Sequence, residues 1–149
     1  MSSEERNAFG AIIASLITLY FFGAPIWQST QSGGYEAADG LSLWARDVLW
    51  LMGGGIVITI IVMIAFHIVL AIVTGNENPE MVTDERDHMI TRRGTLATLI
   101  VCSGAFIIAV IGLATGWSAV AGFNTILAGM FAGAFASELV RIVSYRLGL

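Results

Sequence analysis

The stretch GGGIVITIIVMIAFHIVLAIV, residues 53–73, constrains the fold more than any other part of the chain. It contains no Asp, Glu, Lys or Arg, and as a helix it is long enough to cross the roughly 30 Å hydrocarbon core of a bilayer. Only 12% of the whole chain is charged, whereas a soluble domain carries about 25%. We therefore predict an integral membrane protein.

Four apolar segments have the length of a membrane-spanning helix. We predict helices over residues 8–27, 48–73, 95–115 and 120–144, with Pro25 ending the first. The leader MSSEER carries two acids and one arginine, unlike the positive start of a signal peptide, so we expect the first helix to be retained. The third and fourth helices are joined by a short segment and should form a hairpin. The predicted fold is one all-α domain, an antiparallel bundle of four transmembrane helices.

The arginines and tryptophans predict how this bundle is oriented. The chain has no lysine, and six of its seven arginines flank the helix ends on the side of the N-terminus: Arg6, Arg86, Arg92, Arg93, Arg141 and Arg146. Bases near helix ends stay in the cytoplasm, so both termini are predicted inside. Residues 75–94 then form a cytoplasmic charged loop and residues 28–47 an outer loop. The tryptophans fall at the outer helix ends, as in an aromatic belt.

The predicted cytoplasmic loop contains a dense run of charge in TDERDHMITRRG, residues 83–94, where six of twelve residues are acids or arginines. Thr83 or Asp84 suits the cap of a helix whose first turn holds acids, which the helix dipole favours. The bases that follow lie at the membrane boundary, where they can meet lipid phosphates. We predict a surface that contacts a partner or lipid, with these residues: Asp84, Glu85, Arg86, Asp87, Arg92 and Arg93.

Two other interpretations of this loop are open. It can be a solvated, self-paired capping segment, or Asp84, Asp87 and His88 can hold a divalent metal. No recognised ligand spacing is present, and Arg86 would oppose a cation. We therefore predict no metal and no cofactor.

The segment DERDHMITRRG resembles the D-E-R-(D/E)-x-x-I-x-x-R pattern of a group of small, uncharacterised prokaryotic membrane proteins, which place it on the cytoplasmic side just before a hydrophobic helix. The matching residues are Asp84, Glu85, Arg86, Asp87, Ile90 and Arg93. The resemblance implies a multi-pass protein of the prokaryotic cytoplasmic membrane. It also implies a signalling or regulatory role, since many members appear beside small helix-turn-helix regulators; no activity is assigned to the group.

His67 and Glu138 are ionisable residues inside predicted spans, at similar depth from the inner boundary. Ionisable groups at such depth are functional candidates, and the two can form a proton-sensitive pair near neutral pH. The alternatives are a structural hydrogen bond from His67 to a neighbouring group and an ion pair of Glu138 with Arg141 on its own helix.

Gly129, Gly133 and Ser137 recur every four residues in GMFAGAFAS and place small side chains on one helix face. Such a stripe lets two helix backbones approach closely. The face either packs against another helix of the same chain, which needs no further assumption, or forms a homodimer seam.

These features favour a non-enzymatic interaction or regulatory protein that contacts membrane lipids and a cytoplasmic or membrane partner through its charged loop. No nucleophile motif, paired haem histidines or basic nucleic-acid stripe is present in the sequence. The alternative is a small oligomeric transporter or channel in which His67 and Glu138 handle protons or cations. Small exporters of this size usually carry a carboxylate in the first helix, and none lies between Ala8 and Trp27.

Overall fold

The structure is a computed structural model that describes residues 3–74 and 85–147. This part of the chain is helical apart from two short connections, and it contains no strand. The helices are α1 (Ser3–Thr18), a π-helical turn (Leu19–Gly23), α2 (Ala24–Gln31), α3 (Gly40–Thr74), α4 (Glu85–Ala114) and α5 (Ala119–Leu147). Four segments are long and apolar enough to cross a membrane: Arg6–Gln31, Gly40–Val73, Glu85–Ala114 and Ala119–Leu147. An all-α fold with four candidate transmembrane helices is thus confirmed.

The prediction that Pro25 ends the first helix is wrong, because the chain stays helical to Gln31. The π-helical turn lies directly before the proline, and at its end the N–H of Ala24 bonds the carbonyl of Leu19, five residues back. This turn shifts the hydrogen-bond pattern just where Pro25 lacks a donor. Pro25 then lies in the first turn of α2, where a missing N–H costs least.

Two helices begin before the predicted transmembrane spans 48–73 and 95–115. α3 starts at Gly40, so the predicted outer loop 28–47 shrinks to residues 32–39. α4 starts at Glu85 with acids in its first turn, as the sequence predicts for this segment, and it runs without a break into the third predicted span, so the second half of the loop 75–94 is helical. The proposed cap at Thr83 or Asp84 lies outside the described residues and stays a prediction.

The helices pack in a partly open arrangement. α1 lies against both α3 and α5, whereas α4 packs almost wholly on α5. α3 and α5 touch each other only sparsely. The helix order in contact is therefore α3, α1, α5, α4, and α3 and α4 leave most of their apolar side chains exposed.

The small-residue stripe of α5 packs against α4 of the same chain, as the intrachain alternative predicts. A Cβ on Gly129 would lie 2.1 Å from Cβ of Ala105, and one on Gly133 would lie 2.9 Å from Sγ of Cys102. Ser137 is buried beside Gly94, where a Cβ would lie 2.8 Å from the Ser137 Oγ. The partners on α4 follow one another in the opposite order to the stripe, so α4 and α5 run in opposite directions.

α4 and α5 lie close enough for side chains of α4 to bond backbone carbonyls of α5. The hydroxyl of Thr98 donates to the carbonyl of Gly133 at 3.1 Å, and Sγ of Cys102 lies 3.6 Å from the carbonyl of Gly129. Because glycine brings each carbonyl within reach, the stripe supplies both packing and hydrogen bonds to this helix pair.

Candidate functional site

The first turns of α4 carry a surface of exposed charged side chains at the end of the molecule where α5 finishes. Ile90 is fully buried and Gly94 is buried, and both face inward. Five charged or titratable side chains of these turns are exposed instead. We call this set the charged surface, and its members are Glu85, Arg86, His88, Arg92 and Arg93. Both signs of charge are therefore displayed on the outer side of a helix whose inner side is packed at Ile90 and Gly94.

Asp87 differs from its neighbours because it is half-buried and bound to α5. The hydroxyl of Tyr145 donates a hydrogen bond to Oδ1 of Asp87 at 2.7 Å. This bond links the first turn of α4 to the last turns of α5. Asp87 thus serves in positioning the charged surface, a role that the sequence did not predict because Tyr145 lies 58 residues further along the chain.

Arg141 and Glu138 form an ion pair on α5, directly below the charged surface. Nη1 of Arg141 lies 3.7 Å from Oε1 of Glu138, and both side chains are mostly buried. The pair has room because α4 presents a glycine here: a Cβ on Gly94 would lie 3.1 Å from Nε of Arg141. Glu138 therefore takes the partner one turn away on its own helix, one of the two arrangements the sequence left open.

His67 lies on α3 with its ring exposed. Its Nδ1 is 2.7 Å from the carbonyl oxygen of Met63, one turn earlier. A carbonyl only accepts hydrogen bonds, so Nδ1 carries the proton in this arrangement. Within residues 3–74 and 85–147 the structure places no ion pair between His67 and Glu138. It therefore does not bring the two predicted residues together.

The predicted metal alternative falls partly outside the described residues, because Asp84 is not among them. Across the described ranges, no three His, Cys, Asp or Glu side chains converge in a way that could hold a metal ion.

A second polar group, absent from the sequence predictions, lies at the opposite end of the helices. Nε1 of Trp44 donates to Oδ1 of Asn124 at 2.7 Å, and Nδ2 of Asn124 donates to Oγ1 of Thr30 at 2.9 Å. Oγ1 of Thr30 in turn donates to the carbonyl of Ile26 at 2.8 Å. Three helices, α2, α3 and α5, are joined by this chain of bonds. Its only sequence signal is a lone asparagine in an apolar span.

Tyr35, in the connection between α2 and α3, extends this second polar group. Its hydroxyl donates to Oδ2 of Asp47 at 2.8 Å, and its side chain is buried in a cluster with Ile26, Trp44 and other apolar residues. Burial and the Asp47 carboxylate together raise the pKa of Tyr35 above its usual 10.0. The phenol is therefore held neutral, as a donor that fixes the connection to the start of α3.

Comparisons of the chain with protein-family models, with curated proteins and with solved structures give no match.

Proposed function

We propose that the protein is a non-enzymatic interaction or regulatory protein of a membrane, and that its charged surface contacts a partner protein. The observation that carries this proposal is the presentation of exposed charges on a helix fixed at two points. Ile90 is buried against the rest of the fold, and Asp87 is bonded to Tyr145. A surface held in one geometry loses less conformational entropy on binding than a flexible loop would.

In this proposal the acidic and the basic side chains make different contacts. Glu85 accepts hydrogen bonds from bases of the partner, and Arg86 pairs with its acids. Arg92 and Arg93 lie one to two turns closer to the apolar part of α4 and contact anionic lipid headgroups. Since exposed ion pairs add little affinity singly, such contacts give specificity of orientation more than strength.

The proposal includes an orientation of the bundle in the membrane. Six of the seven arginines flank the helix ends around the charged surface, which favours a cytoplasmic position for that end and for both termini. The bundle would then alternate in direction across a prokaryotic cytoplasmic membrane, with its partner in the cytoplasm or in the membrane beside it.

The test is an affinity capture from native membranes in mild detergent. We expect a partner bound by the wild type and lost by the double variant Glu85→Ala/Arg86→Ala, whose side chains are both exposed. The matched control is Glu36→Ala/Arg46→Ala, which removes one acid and one base, also exposed, at the opposite end. A partner lost equally from both variants, or retained by both, would contradict a role for the charged surface.

The alternative, a small oligomeric transporter that uses His67 and Glu138, gains no support from these contacts. His67 bonds a carbonyl of its own helix, and Glu138 pairs with Arg141. The homodimer seam at the small-residue stripe is likewise not favoured, because α4 covers that face.

A further inference from the structure

The guanidinium of Arg141 carries more hydrogen-bond donors than the fold satisfies. An arginine side chain has five N–H donors and no acceptor. Nε of Arg141 is buried and has no hydrogen-bond partner among the described residues. The contact of its Nη1 with Oε1 of Glu138 is 3.7 Å long, whereas a hydrogen bond between two charged groups measures about 2.7–2.9 Å. Glu138 therefore offsets the charge of Arg141 without satisfying its donors.

Arg141 lies at the level of a membrane boundary. It follows Ala119, the first residue of α5, by 22 residues, which at 1.5 Å per residue is about 33 Å. The hydrocarbon core of a bilayer is about 30 Å thick. With the start of α5 at one boundary, where Trp117 suits the aromatic belt, Arg141 reaches the other. Its side chain is 23% exposed, so it can meet groups of the membrane interface.

Two arginines of α4 add positive charge beside Arg141. A Cβ on Gly94 would lie 3.1 Å from Nε of Arg141, and Arg92 and Arg93, which directly precede Gly94, are exposed. The acids in the first turn of α4 lie about two turns further from the membrane centre. Among the described residues of α4 and α5 at this level, Glu138 alone opposes the three arginines, so the charge around Arg141 is net positive.

The donors and the charge favour a phosphate group as the ligand. The planar guanidinium can donate two parallel hydrogen bonds to oxygens of one phosphate. An anion also lowers the free-energy cost of holding a mostly buried cation at a membrane boundary. Lipid phosphates occupy this level of a bilayer, just outside the hydrocarbon core. A lipid phosphate therefore matches Arg141 in both charge and depth.

The face of α5 that carries Arg141 distinguishes a lipid phosphate from a free one. Ala134 and Met130 lie seven and eleven residues before Arg141, a spacing that places all three on one face of the helix. Both residues are apolar and exposed. A phosphate at Arg141 thus has uncovered apolar surface on its membrane side, which the acyl chains of a lipid cover and which gives a free phosphate no contact. The site therefore favours a phospholipid.

We propose that Arg141 binds the phosphate group of an anionic phospholipid, in the leaflet at the end of the bundle where α5 finishes. Nitrogens of the guanidinium donate to phosphate oxygens, and Glu138 competes with the phosphate for the same cation. This site extends the lipid contacts proposed above for Arg92 and Arg93, and it rests on the membrane position proposed for this end of the bundle. It does not require a partner protein.

The test titrates phosphatidylglycerol, which is anionic, and phosphatidylcholine, which is zwitterionic, into the full-length protein in detergent micelles and counts bound lipids by native mass spectrometry. We expect saturable binding of phosphatidylglycerol, about tenfold tighter than that of phosphatidylcholine. Arg141→Lys keeps the charge but lacks the planar fork, so it should weaken phosphatidylglycerol binding about tenfold. Arg46→Lys is the matched control at an exposed arginine of the opposite end; it should bind like the wild type.

Glu138→Gln separates competition for Arg141 from a purely structural role of the ion pair. Because the competing carboxylate is gone, this variant should bind phosphatidylglycerol about tenfold more tightly. A pair that only stabilises the fold would instead give unchanged or weaker lipid binding, which would contradict the proposal. The double variant Glu138→Gln/Arg141→Gln leaves neither charge buried alone, so it keeps the test decisive where the single variant does not fold. It should bind phosphatidylglycerol at least about tenfold more weakly than the wild type.

Phosphatidylglycerol affinity unchanged in Arg141→Lys and in the double variant, with the helical circular dichroism preserved, would overturn the proposed site. Equal binding of the two lipids by the wild type would overturn its selectivity for anionic lipid. Displacement of phosphatidylglycerol by inorganic phosphate at the same concentration would overturn the lipid as the source of the phosphate. Arg141→Lys should still capture the partner in the experiment described above, because Arg141 is not part of the charged surface. Failure of this site and failure of the proposed function therefore give different results.

Discussion

Gly129→Ala is the substitution whose effect the structure determines most closely. The added Cβ would lie 2.1 Å from Cβ of Ala105, whereas ordinary contact begins at 3.4 Å. α4 and α5 would have to separate locally by at least about 1.3 Å, the difference of these two distances. Overpacking of this kind costs about 1–3 kcal/mol. The separation would also lengthen the nearby bond from Thr98 to the carbonyl of Gly133, worth about 0.6 kcal/mol in a membrane protein.

The assay is unfolding in mixed micelles of a mild detergent and increasing sodium dodecyl sulfate, followed by far-ultraviolet circular dichroism and tryptophan fluorescence. We expect Gly129→Ala to lower the free energy of unfolding by about 1–3 kcal/mol. The matched control is Gly104→Ala in α4, where a Cβ would have nothing within 4 Å. That control should be neutral or stabilising by up to about 1 kcal/mol, since alanine favours helix over glycine.

A rescue variant separates the proposed clash from a general loss of stability. Ala105→Gly removes the atom that the new Cβ would meet, so the double variant Gly129→Ala/Ala105→Gly should recover most of the lost free energy. Equal stabilities for Gly129→Ala and Gly104→Ala, or additive losses in the double variant, would refute the close packing of these helices.

Three further changes test other parts of the fold. Trp44→Phe removes the donor to Asn124 and should lower the free energy of unfolding by about 1 kcal/mol in the same assay. The pKa of Tyr35 is raised above 10.0, so the neutral phenol contributes stability below pH 10 that is lost as the pH rises through the raised pKa. Asp47→Asn should lower the pKa of Tyr35 part of the way, as measured by tyrosinate absorbance. His67→Ala should change the free energy of unfolding by less than about 0.5 kcal/mol, because its ring is exposed; a larger loss would indicate a partner for His67 beyond its own helix.

The four spans could be predicted from sequence because their signal is local. Each requires only about 20 successive apolar residues, and the structure has a candidate span at each predicted position. Pro25 was misleading for the same local reason. A proline removes one donor, but the turn that adapts to it, Leu19–Gly23, has no distinct composition by which it could be recognised.

The contacts between helices could be predicted only in part. The stripe of Gly129, Gly133 and Ser137 indicated a close approach, yet small residues look the same whether the neighbour belongs to the same chain or to another copy. Trp44 with Asn124, and Asp87 with Tyr145, were missed because each pair joins residues far apart in sequence and neither residue recurs in a pattern. Such pairs form only once the helices are arranged in space, and a single residue in the sequence does not show which helix will lie beside it.

Glycines also explain why a groove remains between α3 and α5. A Cβ on Gly54 would collide with the ring of Phe22, so this glycine allows α3 to approach the first helical segment closely. Gly129 has the same effect for α5, but its neighbour is Ala105 of α4. Each helix therefore places its closest contact on a different partner, and α3 and α5 are joined mainly near Trp44 and Asn124. The space left between α3 and α5 is therefore an open apolar groove on the surface of the bundle, with Trp44 at one end.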